Sequence, residues 1–353
     1  MLLITNGTIV NPKTDLLDQM DVLIKDGKII KVDKGICRPD NCDLIDAKGL
    51  YVAPGFIDLH VHLREPGYSE KETIYTGSRA SAKGGYTTVV CMPNTKPALD
   101  SVDVLHELQR IVSKDAVISV YPAAAITKGI SGHELTDHDA LFMAGAVALT
   151  DDGRTTMNAS YMRAAFRASR KYDRPVMTHS EDHDVTVHLQ DQVFPTEAES
   201  DIVLRDIGLC EEENGILHVS HVSTKKAVKA IEIAQKKGLD VSGEAAPHHF
   251  ALSDEVVDMT STRSKVNPPI RGEVDRKAIV DAIKRGVIEA IATDHAPHEK
   301  ASKDKPYREA SFGISGIESA FSVSYKSLVD SGEISLMDLI RLLTVNPARI
   351  ARL

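Results

Sequence analysis

The tripeptide His60-Val61-His62 closes a short apolar run. Residues i and i+2 of a strand face the same side, so two imidazoles at this spacing can share one metal ion. Single polar residues end other runs of the same kind further along: Asp151-Asp152 before Gly153, then His179, His221 and Asp294. Four imidazoles and at least two carboxylates are a ligand set for zinc or a similar divalent ion, enough for two ions sharing a bridge. Such ions lower the pKa of water and polarise a carbonyl, which is the chemistry of amide hydrolysis. The remaining histidines read differently. His106, His133, His138, His183, His188 and His218 fall in expected helices, loops or off-phase strand positions, as solvated or core residues. His248 and His249 follow the seventh expected strand without an assigned role.

These residues need a frame that brings strand ends together. From Pro54 onward, β-branched runs alternate with amphipathic stretches of helical length, the pattern of βα units around a parallel sheet. Eight strands are expected: 55–62, 87–91, 117–121, 146–150, 175–179, 216–221, 240–244 and 287–293. Helices are expected between them, among others at 101–112, 159–171, 225–237 and 275–284. Eight βα units imply a (β/α)8 barrel of the TIM type, whose chemistry gathers at the carboxyl ends of the strands. No Gly-x-Gly-x-x-Gly follows any strand, which speaks against a doubly wound dinucleotide fold. Residues 1–50 read as a small antiparallel β unit, with Asp26-Gly27 as a two-residue hairpin turn. The expected division is therefore 1–50 for the β unit and 51–353 for the barrel.

Composition narrows the partners. The 353 residues are 42% hydrophobic and 26% charged, with a formal net charge of −9. That suits a globular enzyme and gives no positive field for nucleic acid. The start lacks the basic and apolar regions of a signal peptide, and no apolar run approaches a membrane span, so a cytoplasmic location is expected. Four scattered cysteines, Cys37, Cys42, Cys91 and Cys210, do not make a disulfide framework. The charged stretch from Glu299 to Glu309 follows the last strand as a lid or a solvated loop.

The His-x-His on the first strand, the single histidines on strands five and six and the aspartate on strand eight resemble the amidohydrolase superfamily. Six separated strings resemble the long, class I dihydroorotases within it. They are His60-Val61-His62-Leu63-Arg64-Glu65-Pro66-Gly67, Met92-Pro93-Asn94-Thr95, Thr150-Asp151-Asp152-Gly153, His221-Val222-Ser223-Thr224, Asn267-Pro268-Pro269 and Ala292-Thr293-Asp294-His295-Ala296-Pro297-His298. The resemblance covers essentially the whole chain. It implies one or two zinc ions: His60, His62 and Asp294 on the first, His179 and His221 on the second, and a bridge from Asp152, with Asp151 as the neighbouring alternative. It also implies that Asp294 is the general acid/base. The substrate carboxylate would meet Arg64, Asn94 and His298, with His62 nearby, and the ring amides would meet Asn267 and the backbone of Phe312 and Gly313.

No lysine lies between Lys128 and Lys171, so the carbamylated lysine bridge of many amidohydrolases has no counterpart at the end of strand four. The implied reaction interconverts dihydroorotate and N-carbamoyl-L-aspartate. The other readings are a hydantoinase or allantoinase, and a non-catalytic homologue partnering a carbamoyltransferase. The resemblance also allows a homodimer and association with aspartate carbamoyltransferase. Two departures stand out. Members of the family continue past Asn346-Pro347-Ala348 and return to the β unit, so its C-terminal part is expected to be missing here. Ser311 precedes Phe312-Gly313 where proline is common, so a less rigid loop is expected.

Overall fold

The computed structural model describes residues 1–187, 189 and 194–353; the expectation for His188 lies outside them. Thirteen strands form two sheets. The small one contains β1 (Leu2–Asn11), β2 (Leu16–Lys25), β3 (Lys28–Asp33), β4 (Asp43–Asp46) and β5 (Tyr51–Val52). β1, β2 and β3 are antiparallel, and Asp26 and Gly27 take φ of 49° and 74° in the turn between β2 and β3, as a type I′ turn requires. β4 and β5 run parallel to β1, an addition that the hairpin pattern does not show. Because β5 still pairs with β1, the small sheet extends to Val52. Its outer strands expose Ile29, Ile30, Leu44 and Ile45.

The second sheet holds β6 (Phe56–Val61), β7 (Tyr86–Cys91), β8 (Ser119–Ala124), β9 (Ala148–Leu149), β10 (Val176–Thr178), β11 (Leu217–Val219), β12 (Val241–Ala245) and β13 (Ala290–Ile291). Its strands are parallel and lie in chain order. Val61 bridges His295 in parallel, and the His62 N–H donates to the His295 carbonyl at 2.8 Å, so the sheet closes on itself. Leu59, Val90, Ala123, Ala148, Met177 and Ala290 fill the interior, with Ile350 and Ala351 packed against them. Alanine beside bulkier side chains fits the narrow space inside eight strands.

Helices cover the outside at 102–115, 159–172, 225–236 and 273–284, close to expectation because capping residues mark their starts. The Asn158 side chain accepts from the Ser160 N–H, and that of Thr224 from the Ala227 N–H, satisfying donors that a helix start leaves open. The third barrel strand departs from expectation. The run 117–121 is apolar in sequence, yet Val117 and Tyr121 are exposed and the buried residues are Pro122, Ala123 and Ala124. The strand therefore lies at 119–124, because small residues, not the larger ones, face the interior.

The segment after β13 is neither a free loop nor simply solvated. It contains the short helix Lys300–Lys303, and Ser302 and Ala310 are buried. The Ser311 N–H, which a proline would lack, donates to the Ser302 carbonyl at 3.1 Å. Among the described residues no helix is long and apolar enough to cross a membrane, and the four cysteines are free.

Candidate active site

His60 lies within β6 and His62 just past it, and both are buried. Asp152 follows β9, His179 follows β10, His221 lies beyond β11 and Asp294 beyond β13. Closure of the sheet brings all six together. His60, His62 and Asp294 offer ligand atoms within 4.8 Å of one another, and so do His60, Asp152 and His221. The Asp152 carboxylate is 3.2 Å from His60 Nε2, 3.5 Å from His62 Nε2, 3.7 Å from His221 Nε2 and 3.8 Å from His179 Nδ1. Asp151 faces elsewhere: its oxygens accept from the Thr127 N–H and hydroxyl and from the Thr156 hydroxyl. Arg64, His221 and Asp294 all have positive φ, at 66°, 35° and 47°. The left-handed region is unfavourable for such residues and is found mainly where a site holds it.

A supporting group stands behind three of the imidazoles and decides which nitrogen turns inward. The His62 Nδ1–H donates to Asn94 Oδ1 at 2.9 Å, a choice set by Asn94 Nδ2, which donates to Asp152. His60 turns Nδ1 to Glu244, 3.3 Å away, and Glu244 accepts from His218 Nε2 at 3.0 Å. The His179 Nε2–H donates to Glu181 at 3.1 Å. With those partners taken, His60 and His62 turn Nε2 toward carboxylate oxygens, and His179 turns Nδ1 toward His221 Nε2, 3.0 Å away. Nitrogens and carboxylate oxygens brought this close need positive charge among them, as protons or as a metal ion. Both ring nitrogens of His60 and Nδ1 of His221 are buried without hydrogen-bond partners. Burial disfavours a charged His60, but the Asp152, Glu244 and Asp294 carboxylates outweigh it and raise its pKa. Burial likewise works against the Asp294 carboxylate, yet the His62 hydrogen bond and the surrounding imidazoles hold it well below the usual range. A buried set of imidazole nitrogens and carboxylate oxygens within 4.8 Å of one another fits a divalent metal.

A cavity of about 260 Å³ opens above the cluster, lined by every site residue expected from sequence except His60, which lies beneath. Arg64 is buried along its length, and its Nε donates to the Pro297 carbonyl at 3.1 Å. Its terminal nitrogen lies 3.2 Å from His298 Nε2, which is also 2.8 Å from the Phe312 carbonyl. One nitrogen cannot accept from Arg64 and donate to Phe312 at once. The shorter contact makes Nε2 the donor to Phe312 and leaves the arginine fork facing the cavity. Burial, with the Arg64 charge beside it, lowers the His298 pKa to about 4 and keeps the ring neutral. Asn267 donates to Glu181 at 2.7 Å, so its amide, like that of Asn94, also holds a ligand's support. The Gly313 N–H is committed to the Lys265 carbonyl.

Sequence reasoning missed the supporting carboxylates. Asp58 accepts from the Thr293 N–H and the His60 N–H, and Glu72 pairs with His295 at 3.0 Å. Glu244 ends an expected strand on the active face, and Glu181 stands two residues past His179; these positions are the available signals. His218 is buried on Glu244 and Ser242, in keeping with a core role. His248 and His249 are buried and line no part of the cavity.

The sequence profile described as dihydro-orotase-like matches residues 49–227. A protein named dihydroorotase from Thermoanaerobacter sp. (strain X514) is 41% identical over 360 residues, 99% of this chain and 83% of its own. Another of that name from Caldanaerobacter subterraneus subsp. tengcongensis is 42% identical over 344 residues, 94% of this chain and 80% of its own. Among solved structures, an L-hydantoinase from Arthrobacter aurescens shares the fold, with a TM-score of 0.90 at 22% identity over 99% of this chain and 82% of that one. Two-fifths identity across nearly the full length, carried on a closed barrel, makes this chain a member of the dihydroorotase family.

Proposed function

We propose that the chain catalyses the reversible hydrolysis of dihydroorotate to N-carbamoyl-L-aspartate, a step of pyrimidine synthesis. The observation that carries this reading is the guanidinium of Arg64, which has no carboxylate in salt-bridge contact among the described residues, in the same cavity as the ligand cluster. A carboxylate-bearing ring is the substrate such a cavity suits. His60, His62 and Asp294 would hold one ion, His179 and His221 a second, and Asp152 both; zinc suits imidazole and carboxylate donors. When bound, such ions supply Lewis acidity and lower the pKa of water.

The chain's own groups supply the rest. Arg64 grips the carboxylate of the substrate through a charge-assisted fork. His298, Asn94 and His62 border the same end, and Asn267 and the Phe312–Gly313 backbone border the ring. Asp294 takes a proton from the attacking water and returns it to the amide nitrogen as the ring opens, and the reverse path closes it. The supporting residues Asn94, Glu181 and Glu244 keep the imidazoles turned inward. The same reading carries a cytoplasmic homodimer and association with aspartate carbamoyltransferase, which sedimentation of the purified chain alone and with that enzyme would check. The activity is tested with metal-analysed protein given dihydroorotate, hydantoin and allantoin side by side. Turnover of dihydroorotate well above the other two is expected. Preference for hydantoin, or no turnover by the metal-loaded chain, refutes the reading.

A further inference from the structure

Two lysines outside the ligand cluster meet backbone carbonyls where charged partners would be expected. Lys265 is buried, and its ammonium donates to the carbonyls of Tyr307 and Ala310, both at 2.6 Å, with the Phe312 ring centroid 4.3 Å away. Lys303 donates to the carbonyls of Ser311 and Gly313, both at 2.9 Å. The Lys265 carbonyl accepts the Gly313 N–H at 2.9 Å, and the Phe312 carbonyl accepts from His298. Burial lowers the pKa of both ammoniums, and no described carboxylate offsets it. A buried cation without a counter-ion is costly, so the carbonyl dipoles of residues 307–313 must converge on these two groups. Each lysine thereby dictates the path of the segment that forms one rim of the cavity.

The planar peptide adds a directional consequence. In a trans peptide the C=O of one residue and the N–H of the next point in opposite directions. By drawing the Ser311 carbonyl to itself, Lys303 turns the Phe312 N–H the other way, and among the described residues that N–H has no partner. Phe312 and Gly313 both line the cavity. We propose that Lys265 and Lys303 are positioning residues which staple the 307–313 rim by its carbonyls and so present the Phe312 N–H to a ring carbonyl of the substrate. This assignment rests on the reading of the cavity as a dihydroorotate site.

The test uses the metal-loaded full chain with Lys303→Met, Lys303→Arg and wild type. For Lys303→Met the KM for dihydroorotate is expected to rise at least tenfold with kcat changed less than about threefold. Metal content should stay at the wild-type level, and deuterium uptake in peptides covering 307–313 should rise. Lys303→Arg, which keeps charge and donors, should recover most of the KM. Unchanged uptake with unchanged KM overturns the proposal, and so does a kcat loss at constant KM. Should Lys303→Met fail to accumulate, Lys303→Ala is read by the same measures. If wild type does not turn over dihydroorotate, the substrate reading fails, while the exchange comparison still decides whether the staple holds the rim.

Discussion

Replacing Arg64 by methionine keeps an unbranched side chain at the observed φ of 66° and removes the guanidinium. Two losses follow, and they separate by substrate. The Nε bond to the Pro297 carbonyl disappears whatever is bound, which costs about 1 kcal/mol. A carboxylate-bearing substrate loses in addition its partner in a buried, hydrogen-bonded charge pair, a truncation that costs about 2–4 kcal/mol. The two losses together come to about 3–5 kcal/mol for dihydroorotate, so at 1.36 kcal/mol per decade its kcat/KM should fall roughly 160- to 5,000-fold, and that for an uncharged cyclic imide by no more than about fivefold. Initial rates with both substrates at matched metal content measure the difference. Equal losses would mean that Arg64 only braces the Pro297 turn, and the assignment of the carboxylate end of the cavity would fall.

Four other outcomes are expected. Asp294→Asn should remove nearly all turnover in both directions with the fold intact by circular dichroism; retention of more than about a tenth of wild-type kcat, a loss under roughly 1.4 kcal/mol, contradicts its role as proton carrier. Asp152→Ala should deplete the ion on His179 and His221 before the one on His60, His62 and Asp294. With no lysine at the end of β9, activity should be indifferent to bicarbonate; restoration of carbon-dioxide-depleted enzyme by bicarbonate, or full metal content in Asp152→Ala, argues against the aspartate bridge. Far from the cavity, burial pushes the Asp206 carboxyl up to about 6 against its ordinary 3.8, despite Arg205, and leaves Oδ2 without a partner. The native state therefore binds this proton more tightly than the unfolded chain; its contribution is full below about pH 4 and is lost as pH rises through about 6. Asp206→Asn, which mimics the protonated form, should stabilise the fold at pH 8 by at most roughly 3 kcal/mol, read as a higher Tm, and lose the advantage near pH 4; a gain independent of pH contradicts this.

The sequence exposes the candidate ligand histidines because barrel strands end where polar residues must begin, so His60, His62, His179 and His221 mark strand ends by type alone. Asp152 and Asp151 are indistinguishable in sequence; only the Thr127 and Thr156 hydroxyls, which claim Asp151, separate them. The carboxylates Glu244 and Glu181 are silent for a similar reason, since their roles depend on what packs across the barrel. β8 was misplaced because burial there selects small residues, which carry weak hydrophobic signal. The lysine staple is hidden for a further reason: its acceptors are main-chain carbonyls, and main chain carries no sequence identity.

Closure of the barrel between β6 and the residues after β13 bears on the order of folding. His62 and Asp294 are separated by 232 positions, and Asp58 and Thr293, which lace the same seam, by 235. Contacts of such span carry a large chain-entropy cost and form late. A nascent chain leaving the ribosome has made its histidine pair long before its aspartate exists. On the proposed ligand assignment, metal capture at full affinity would report a finished barrel, and the energy of that capture would fall on the last seam to close. Stripping the metal should loosen this seam first, with the amides of β6 and of residues 292–296 exchanging ahead of those in β10 and β11.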